Sequence, residues 1–186
     1  MTPSEAAELL AGAIPGPGGV WADLGAGEGV FTQALVRQLG AGARIFAVDR
    51  DARALEALRR WSAGAVAEVV PVRADFTRPF ELPGLGDTKL DGILLANALH
   101  FVRDPERLLV RLGGRLRPGG GLVLVEYDRR RGNPWVPHPI PIARLPAILD
   151  AAGFSDPRIT DRRPSRYGGN VYVAASELRP ARRPSA

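Results

Sequence analysis

Three glycines at alternate positions, Gly25, Gly27 and Gly29, follow a short apolar run that contains Asp23 near its end. Glycine lets the backbone adopt positive φ angles and approach a ligand closely. The amphipathic run that follows predicts a helix, whose N-terminus offers unpaired N–H groups. The stretch therefore predicts a strand, a tight turn and a helix start at which a nucleotide-like ligand meets bare backbone.

Polar side chains also follow the later apolar runs of the chain: Asp49, Asp75, Asn97 with His100, and Glu126 with Tyr127 and Asp128. Asp49 lies about 20 residues beyond the glycines, where an acid can accept hydrogen bonds from a ribose diol. Asp75 could accept from an exocyclic amine. Since the set is acidic and lacks a Walker lysine, it favours a ligand with a cationic centre and a free amino group over a diphosphate.

Apolar runs alternate with amphipathic helical patterns along most of the chain. Strands are predicted at Val20–Leu24, Ile45–Val48, Val66–Val72, Asp91–Ala96 and Gly121–Glu126, with two closing β segments at Arg158–Asp161 and Asn170–Ala175. Helices are predicted up to Ala13 and over Phe31–Leu39, Asp51–Trp61, Asp104–Leu116 and Ile142–Ala152.

The early strands are continuously apolar, as in a sheet that is covered on both faces. The alternation predicts an α/β three-layer domain with a mainly parallel sheet. In such sheets ligands bind at the carboxyl ends of the strands, beside the topological switch point. The polar residues that follow the strands are therefore the candidate site.

Composition narrows the class of protein. No apolar run approaches the about 20 residues of a membrane span, and the N-terminus lacks the pattern of a secretory signal, so a cytoplasmic location is expected. Without cysteine there is no thiolate metal ligand and no cysteine nucleophile, and no metal site is expected. One domain should cover residues 1–176, followed by a disordered basic tail over 177–186.

The formal net charge is +5, and Lys89 is the only lysine. A nucleic-acid-binding surface is one interpretation of so many arginines, and an arginine-rich genome composition is the other. The arginines cluster late in the chain and are not interleaved with the exposed aromatics of a single-strand binder. A nucleic-acid partner is therefore disfavoured.

Taken together and in order, these motifs resemble the class I S-adenosylmethionine-dependent methyltransferases. Ala22–Gly29 resembles the glycine-rich motif of that family, Asp91–Val102 its fourth-strand segment and Leu116–Glu126 its fifth-strand hairpin. The resemblance covers Val20 to Tyr127. It implies a Rossmann-like sandwich of about seven strands with an antiparallel last strand, and S-adenosylmethionine as cofactor.

The resemblance also implies a set of cofactor-binding residues: Asp23, Gly25, Ala26, Gly27, Asp49, Arg50, Asp75, Phe76 and Asn97. The glycines would lie under the methionine part, and Asp23 would hold its amino group directly or through water. Asp49 would hold the ribose, while Asp75 and Phe76 would frame the adenine. Asn97 would line the methionine side. Each polar residue has a structural alternative as a helix cap, turn or loop residue.

A sulfonium methyl is already activated, so its transfer is an in-line displacement whose rate depends on alignment. A general base is needed only when the acceptor keeps its proton. His100 is the first candidate for that base and Tyr127 the second, with a packing role as the alternative for the histidine. His138 lies in a proline-rich loop and is expected to be exposed.

The acceptor is predicted to be a small molecule, with a protein side chain as the alternative. Transferases in this family that methylate nucleobase amines carry Asn/Asp-Pro-Pro-aromatic where this chain has Asn97-Ala98-Leu99-His100. Only the first helix and the loop from Tyr127 to Pro141 are available as a lid. The pocket is therefore either open or completed by a second subunit in a homodimer.

Two other functions remain open at this point. The chain could be a non-catalytic S-adenosylmethionine-binding protein with the same fold. It could also be an NAD-dependent oxidoreductase, which the even spacing of Gly25, Gly27 and Gly29 disfavours. The absence of a Tyr-x-x-x-Lys pair counts against it too.

Overall fold

The computed structural model describes residues 1–165 and 169–180. Within these ranges the strands are β1 (Gly19–Leu24), β2 (Ala43–Asp49), β3 (Glu68–Arg73), β4 (Leu90–Ala96), β5 (Leu116–Asp128), β6 (Arg158–Pro164) and β7 (Asn170–Glu177). The α-helices are α1 (Pro3–Leu10), α2 (Val30–Leu39), α3 (Ala52–Ser62), α4 (Pro105–Gly113) and α5 (Leu145–Ala151). Short 3-10 helices span Leu99–Phe101 and Ile142–Arg144.

The strands form one seven-stranded sheet in the order β3-β2-β1-β4-β5-β7-β6. Neighbouring strands from β3 to β5 run parallel, whereas β7 is antiparallel to both β5 and β6. The predicted mainly parallel sheet with an antiparallel last strand is confirmed. The strand order reverses between β1 and β4, so the switch point lies at their carboxyl ends.

Side chains that alternate along the central strands pack on opposite faces of the sheet. On one face Leu24 and Phe46 pack in the same cluster as Leu109 of α4. On the other face Trp21 and Ile45 pack in the same cluster as apolar residues of α1 and α2. Both faces are therefore covered by helices, which gives the predicted three layers.

Local signals set the starts of two helices as the sequence predicts. Thr2 caps α1 through a capping box, in which its Oγ1 accepts from the Glu5 N–H at 3.2 Å and its own N–H donates to Glu5 Oε2 at 2.7 Å. Asp51 caps α3 by accepting from the Arg53 N–H at 2.8 Å. The helix α1 ends at Leu10 rather than at Ala13.

Several predicted elements have different boundaries in the structure, among them the helix predicted to reach Leu116, which ends at Gly113. The strand β5 begins at Leu116, five residues before the predicted start at Gly121, because Leu116 already pairs with Leu90 of β4. The last predicted helix is divided into a 3-10 turn and α5. Pro146 lies in the first turn of α5, where its missing N–H costs no helical hydrogen bond.

The start of the predicted disordered tail also differs. Glu177 still belongs to β7. The Leu178 N–H donates to the Gly120 carbonyl at 2.9 Å, and the Arg179 N–H donates to the Gly153 carbonyl at 3.0 Å. Glu177, Leu178 and Arg179 therefore belong to the folded domain rather than to the predicted disordered tail. Residues 181–186 of that tail lie outside the described ranges. None of the described helices is both long and apolar enough to cross a membrane.

Candidate active site

A cavity of about 480 Å³ lies at the carboxyl ends of β1, β2 and β4. We call it the glycine-loop cavity. Six of the residues predicted to bind a cofactor line it: Gly25, Asp49, Arg50, Asp75, Phe76 and Asn97. The other three, Asp23, Ala26 and Gly27, do not belong to its lining. The sheet thus brings residues from four separate chain segments to one opening.

The three glycines of the turn have different surroundings, although all have positive φ angles. A Cβ on Gly25 would lie 2.9 Å from the Cβ of Ala98, whereas a Cβ on Gly27 would meet nothing within 4 Å. A Cβ on Gly29 would lie 2.7 Å from the ring of Trp61. The turn therefore leaves open space beside Gly27, while Gly29 serves the packing of α3.

Asp49 fixes the glycine turn to the end of β2. Its Oδ2 accepts from the Gly27 N–H and its Oδ1 accepts from the Asp51 N–H, both at 2.8 Å. A carboxylate oxygen can accept more than one hydrogen bond. Asp49 can therefore hold the turn and still accept from hydroxyl groups in the cavity that it lines.

Asp23 lies beneath the turn and is 1% exposed. Its Oδ2 accepts from the Thr32 hydroxyl at 2.7 Å. Burial raises the pKa of Asp23 to about 7, with the Thr32 hydrogen bond lowering it and the charge of Asp49 raising it further. Its contact with a ligand amino group stays a prediction.

Asp75 and Phe76 form the edge of the cavity beyond β3. Asp75 Oδ1 accepts from the Thr77 hydroxyl at 2.6 Å and from the Thr77 N–H at 2.9 Å, and the hydroxyl bond is the main cause of its lowered pKa. The Phe76 carbonyl accepts from Arg111 of α4 at 2.8 Å. These bonds hold an ionised carboxylate and an aromatic ring at the opening.

A second cavity, of about 510 Å³, adjoins the first and is called the histidine cavity. Asn97 and Phe101 line both cavities. The remaining lining of the histidine cavity comprises His100, Tyr127, Arg129, Asn133, Trp135 and Val136. His138, expected to be exposed, is exposed and does not belong to this lining.

His100 is held by a buried carboxylate. It is 2% exposed, Glu126 is fully buried, and His100 Nδ1 lies 2.7 Å from Glu126 Oε2. Glu126 Oε1 accepts from the N–H groups of Leu99 and His100 at 2.9 and 3.2 Å. Because the carboxylate is an acceptor, Nδ1 carries the proton and Nε2 is left to act as a base.

Sequence reasoning noted Glu126 after the fifth strand but gave it no role. The pair is separated by 26 residues, so no local motif connects them. The contact could have been predicted only from the expectation that β4 and β5 are parallel neighbours, because the carboxyl ends of such strands meet at one edge of the sheet. Tyr127 follows directly, and its ring contacts His100 edge-on with centroids 5.8 Å apart.

Asn97 lies where the cavities meet and has two unusual features. Within the described ranges it is the one non-glycine residue with a positive φ, of 53°. Its side-chain Oδ1 is buried and has no hydrogen-bond partner among the residues that the structure describes. Backbone strain and an unpaired buried acceptor both cluster at ligand sites. Across the described residues no group of three His, Asp or Glu side chains is placed to hold a metal ion.

Comparison with known proteins adds independent observations. A family model described as "Methyltransferase domain" matches residues 22–124. An uncharacterised methyltransferase of Mycobacterium tuberculosis is 37% identical over 114 residues, which are 61% of this chain and 42% of that protein. Carboxy-S-adenosyl-L-methionine synthase of Pseudomonas fluorescens is 32% identical over 162 residues, 83% of this chain and 63% of that protein. The chain spans less than half the length of the mycobacterial relative that it matches.

The fold is similar to that of a solved structure from Burkholderia thailandensis. That protein, 1,6-didemethyltoxoflavin-N1-methyltransferase, was crystallised with 1,6-didemethyltoxoflavin and S-adenosylhomocysteine. The TM-score is 0.70 at 23% sequence identity, and the alignment covers 95% of this chain and 77% of that one. At this identity the likeness concerns the fold.

Proposed function

The chain belongs to the family of class I S-adenosylmethionine-dependent methyltransferase domains, and on that premise we propose that it transfers a methyl group to a small-molecule acceptor. The observation that carries the proposal is the junction at Asn97 and Phe101, which line both the glycine-loop cavity and the histidine cavity. A cofactor in one cavity and an acceptor in the other would meet there. Alignment of this kind supplies much of the rate of a displacement.

S-adenosylmethionine is the cofactor of the family, and the residues of the glycine-loop cavity fit it. Asp49 can accept from ribose hydroxyls, and Asp75 with Phe76 offers an acid and an aromatic ring for the adenine. The unpaired Oδ1 of Asn97 suits a ligand N–H donor. The open space beside Gly27 supports close approach of a ligand to the backbone.

When bound, the cofactor supplies an activated methyl group for in-line displacement. The protein's own contribution begins with His100, whose Nε2 would accept the proton of a hydroxyl or amine as the bond to carbon forms. Glu126 keeps Nδ1 protonated and orients the ring. Tyr127, packed edge-on against the imidazole, limits the space in which the acceptor atom can lie.

Several features support a small-molecule acceptor. The histidine cavity is lined by aromatic side chains, including Phe101, Tyr127 and Trp135, which suits an apolar or planar body. Two of the late arginines are paired with acids, Arg162 with Asp128 at 2.9 Å and Arg163 with Asp161 at 2.7 Å. These paired arginines do not support a phosphate-binding surface.

The first test is calorimetric titration with S-adenosylhomocysteine, S-adenosylmethionine and NAD, and we expect the first two to bind and NAD not to bind. The second is a mass-spectrometric methyl-transfer assay over a panel of small hydroxyl and amine acceptors. Cofactor binding without transfer to any acceptor favours the non-catalytic alternative. Binding of NAD alone contradicts the proposal. The cytoplasmic location and the second subunit considered for the lid stay proposals from the sequence.

A further inference from the structure

A third cavity, of about 250 Å³, lies beside the histidine cavity and is lined by four cationic or titratable side chains: Arg103, Arg130, Arg144 and His138. We call it the arginine pocket. No Asp or Glu belongs to its lining. In the part of the chain that the structure describes, none of the three guanidinium groups donates to a protein acceptor. Other arginines, such as Arg117 and Arg179, are paired with Asp91 and Asp150.

Three arginines without an acidic partner among the described residues line one concave space, and an anion in that space would add favourable charge interactions with them. Guanidinium groups bind carboxylate and phosphate through paired hydrogen bonds, which are stronger than neutral ones. The chemistry of the pocket therefore favours an oxyanion. A neutral acceptor would gain less from these side chains, and a cationic group would be repelled by them.

The arginine pocket and the histidine cavity share a wall. At four places neighbouring residues of the chain line different cavities: Phe101 and Val102, Arg129 and Arg130, Gly132 and Asn133, and Val136 and Pro137. Consecutive Cα atoms are about 3.8 Å apart. The two linings are therefore adjacent along this wall, and an acceptor that lies in the histidine cavity is next to the arginine pocket.

Hydrogen bonds within the chain hold the shared wall. The His138 N–H donates to the His100 carbonyl at 3.0 Å, which ties the arginine pocket to the turn that carries the candidate base. Asn133 Oδ1 accepts from the Val136 N–H at 2.7 Å. The Tyr172 hydroxyl donates to the Ile140 carbonyl at 2.7 Å and anchors the segment to β7. A preformed site loses less entropy on binding.

We propose that the arginine pocket binds an oxyanion group of the methyl acceptor, a carboxylate or a phosphate, while the body of the acceptor lies in the histidine cavity. The proposal rests on the proposed function and narrows its substrate class to acidic small molecules. Trp135, which is 81% exposed, then covers the apolar part of the acceptor.

The test compares probes by calorimetry on the full chain, with and without S-adenosylhomocysteine. Phenyl phosphate and benzoate carry both a ring and an oxyanion, whereas phenol and inorganic phosphate carry one each. We expect at least one of the two-part probes to bind about tenfold more tightly than either one-part probe. The relative affinity of phenyl phosphate and benzoate distinguishes a phosphate from a carboxylate.

Substitutions at single residues test where the probes bind. Arg130→Gln and Arg103→Gln should each weaken the favoured two-part probe about tenfold. The matched control is Arg59→Gln, an exposed arginine of α3 outside all three cavities, which should change binding less than about twofold. Trp135→Ala should weaken the two-part probes but leave inorganic phosphate unchanged.

Three outcomes overturn the proposal: no anion binding, equal weakening by Arg59→Gln, or two-part probes that bind no better than inorganic phosphate. The last outcome leaves an anion site that is separate from the acceptor. Failure of the proposed function has a different signature, since S-adenosylhomocysteine would then not bind the wild-type chain. The two failures are measured in separate titrations.

Discussion

The two halves of the candidate active site are specified in different ways. The glycine-loop cavity is lined by residues that follow β1, β2, β3 and β4, and most of these positions are recognisable from the apolar run that precedes them. The histidine cavity depends on side chains far apart in sequence, such as His100 and Glu126. Local sequence thus predicts several residues that line the glycine-loop cavity, whereas sheet topology decides which carboxylate contacts His100.

The largest effect is expected for His100→Ala, which should impair the histidine cavity and leave the glycine-loop cavity unchanged. We expect methyl transfer to fall about 10²- to 10⁴-fold, the usual contribution of a general base, with little change in S-adenosylhomocysteine affinity. Single-turnover kinetics and calorimetry measure the two effects. Unchanged turnover would remove His100 from the mechanism and leave it as a packing residue.

Glu126→Gln tests whether the buried carboxylate acts through the histidine. Glutamine can still accept from the Leu99 N–H, but its amide donor would face Nδ1 and move the imidazole proton to Nε2. We expect turnover to fall by about 10- to 100-fold. The pH–rate profile should also change shape, which a purely structural loss would not cause. An unchanged profile with reduced thermal stability would assign Glu126 to folding alone.

Asp23→Asn tests the residue beneath the glycine turn through the pH dependence of the free energy of unfolding. The pKa of Asp23 is raised from 3.8 to about 7, so the unfolded chain binds fewer protons between these values and stability falls as pH rises through that window. Asparagine removes the titration, so the variant should gain up to about 4 kcal/mol over wild type at pH 8 and almost none near pH 4. Urea unfolding across pH measures this.

The same variant reports on ligand contact. If Asp23 holds the amino group of the cofactor, S-adenosylhomocysteine should bind Asp23→Asn more weakly above pH 7 even though the protein is more stable. Equal affinity at pH 8 would give Asp23 a role confined to the turn.

The smallest effects are expected for substitutions within the glycine turn, where Gly27 and Gly29 have different surroundings. Gly27→Ala should cost about 1 kcal/mol of stability, the strain of a left-handed alanine, and weaken cofactor binding by crowding the open space. Gly29→Ala should cost more stability because its Cβ would meet Trp61, with a smaller loss of affinity. Thermal unfolding and calorimetry on both variants check the division, and the reverse ranking would contradict it.

Much of the fold was predictable because it depends on local patterns. Continuous apolar runs predicted the central strands, and Thr2 with Glu5 predicted the start of α1. The start of β5 was not predictable, since Pro118, Gly119 and Gly120 favour a turn and only pairing with β4 and β7 makes this stretch part of a strand. Pairing energy between distant segments overrode local propensity there.

By itself the sequence determined the glycine turn, the acids that follow the strands and hence the family, because each signal lies within one strand–turn–helix unit. The tertiary structure decided which residues share a cavity. It placed Glu126 against His100, put Gly29 against Trp61, and brought three arginines without an acidic partner among the described residues to one pocket beside the histidine cavity. These contacts arise where neighbouring strands end at one edge of the sheet, and no spacing along the chain encodes them.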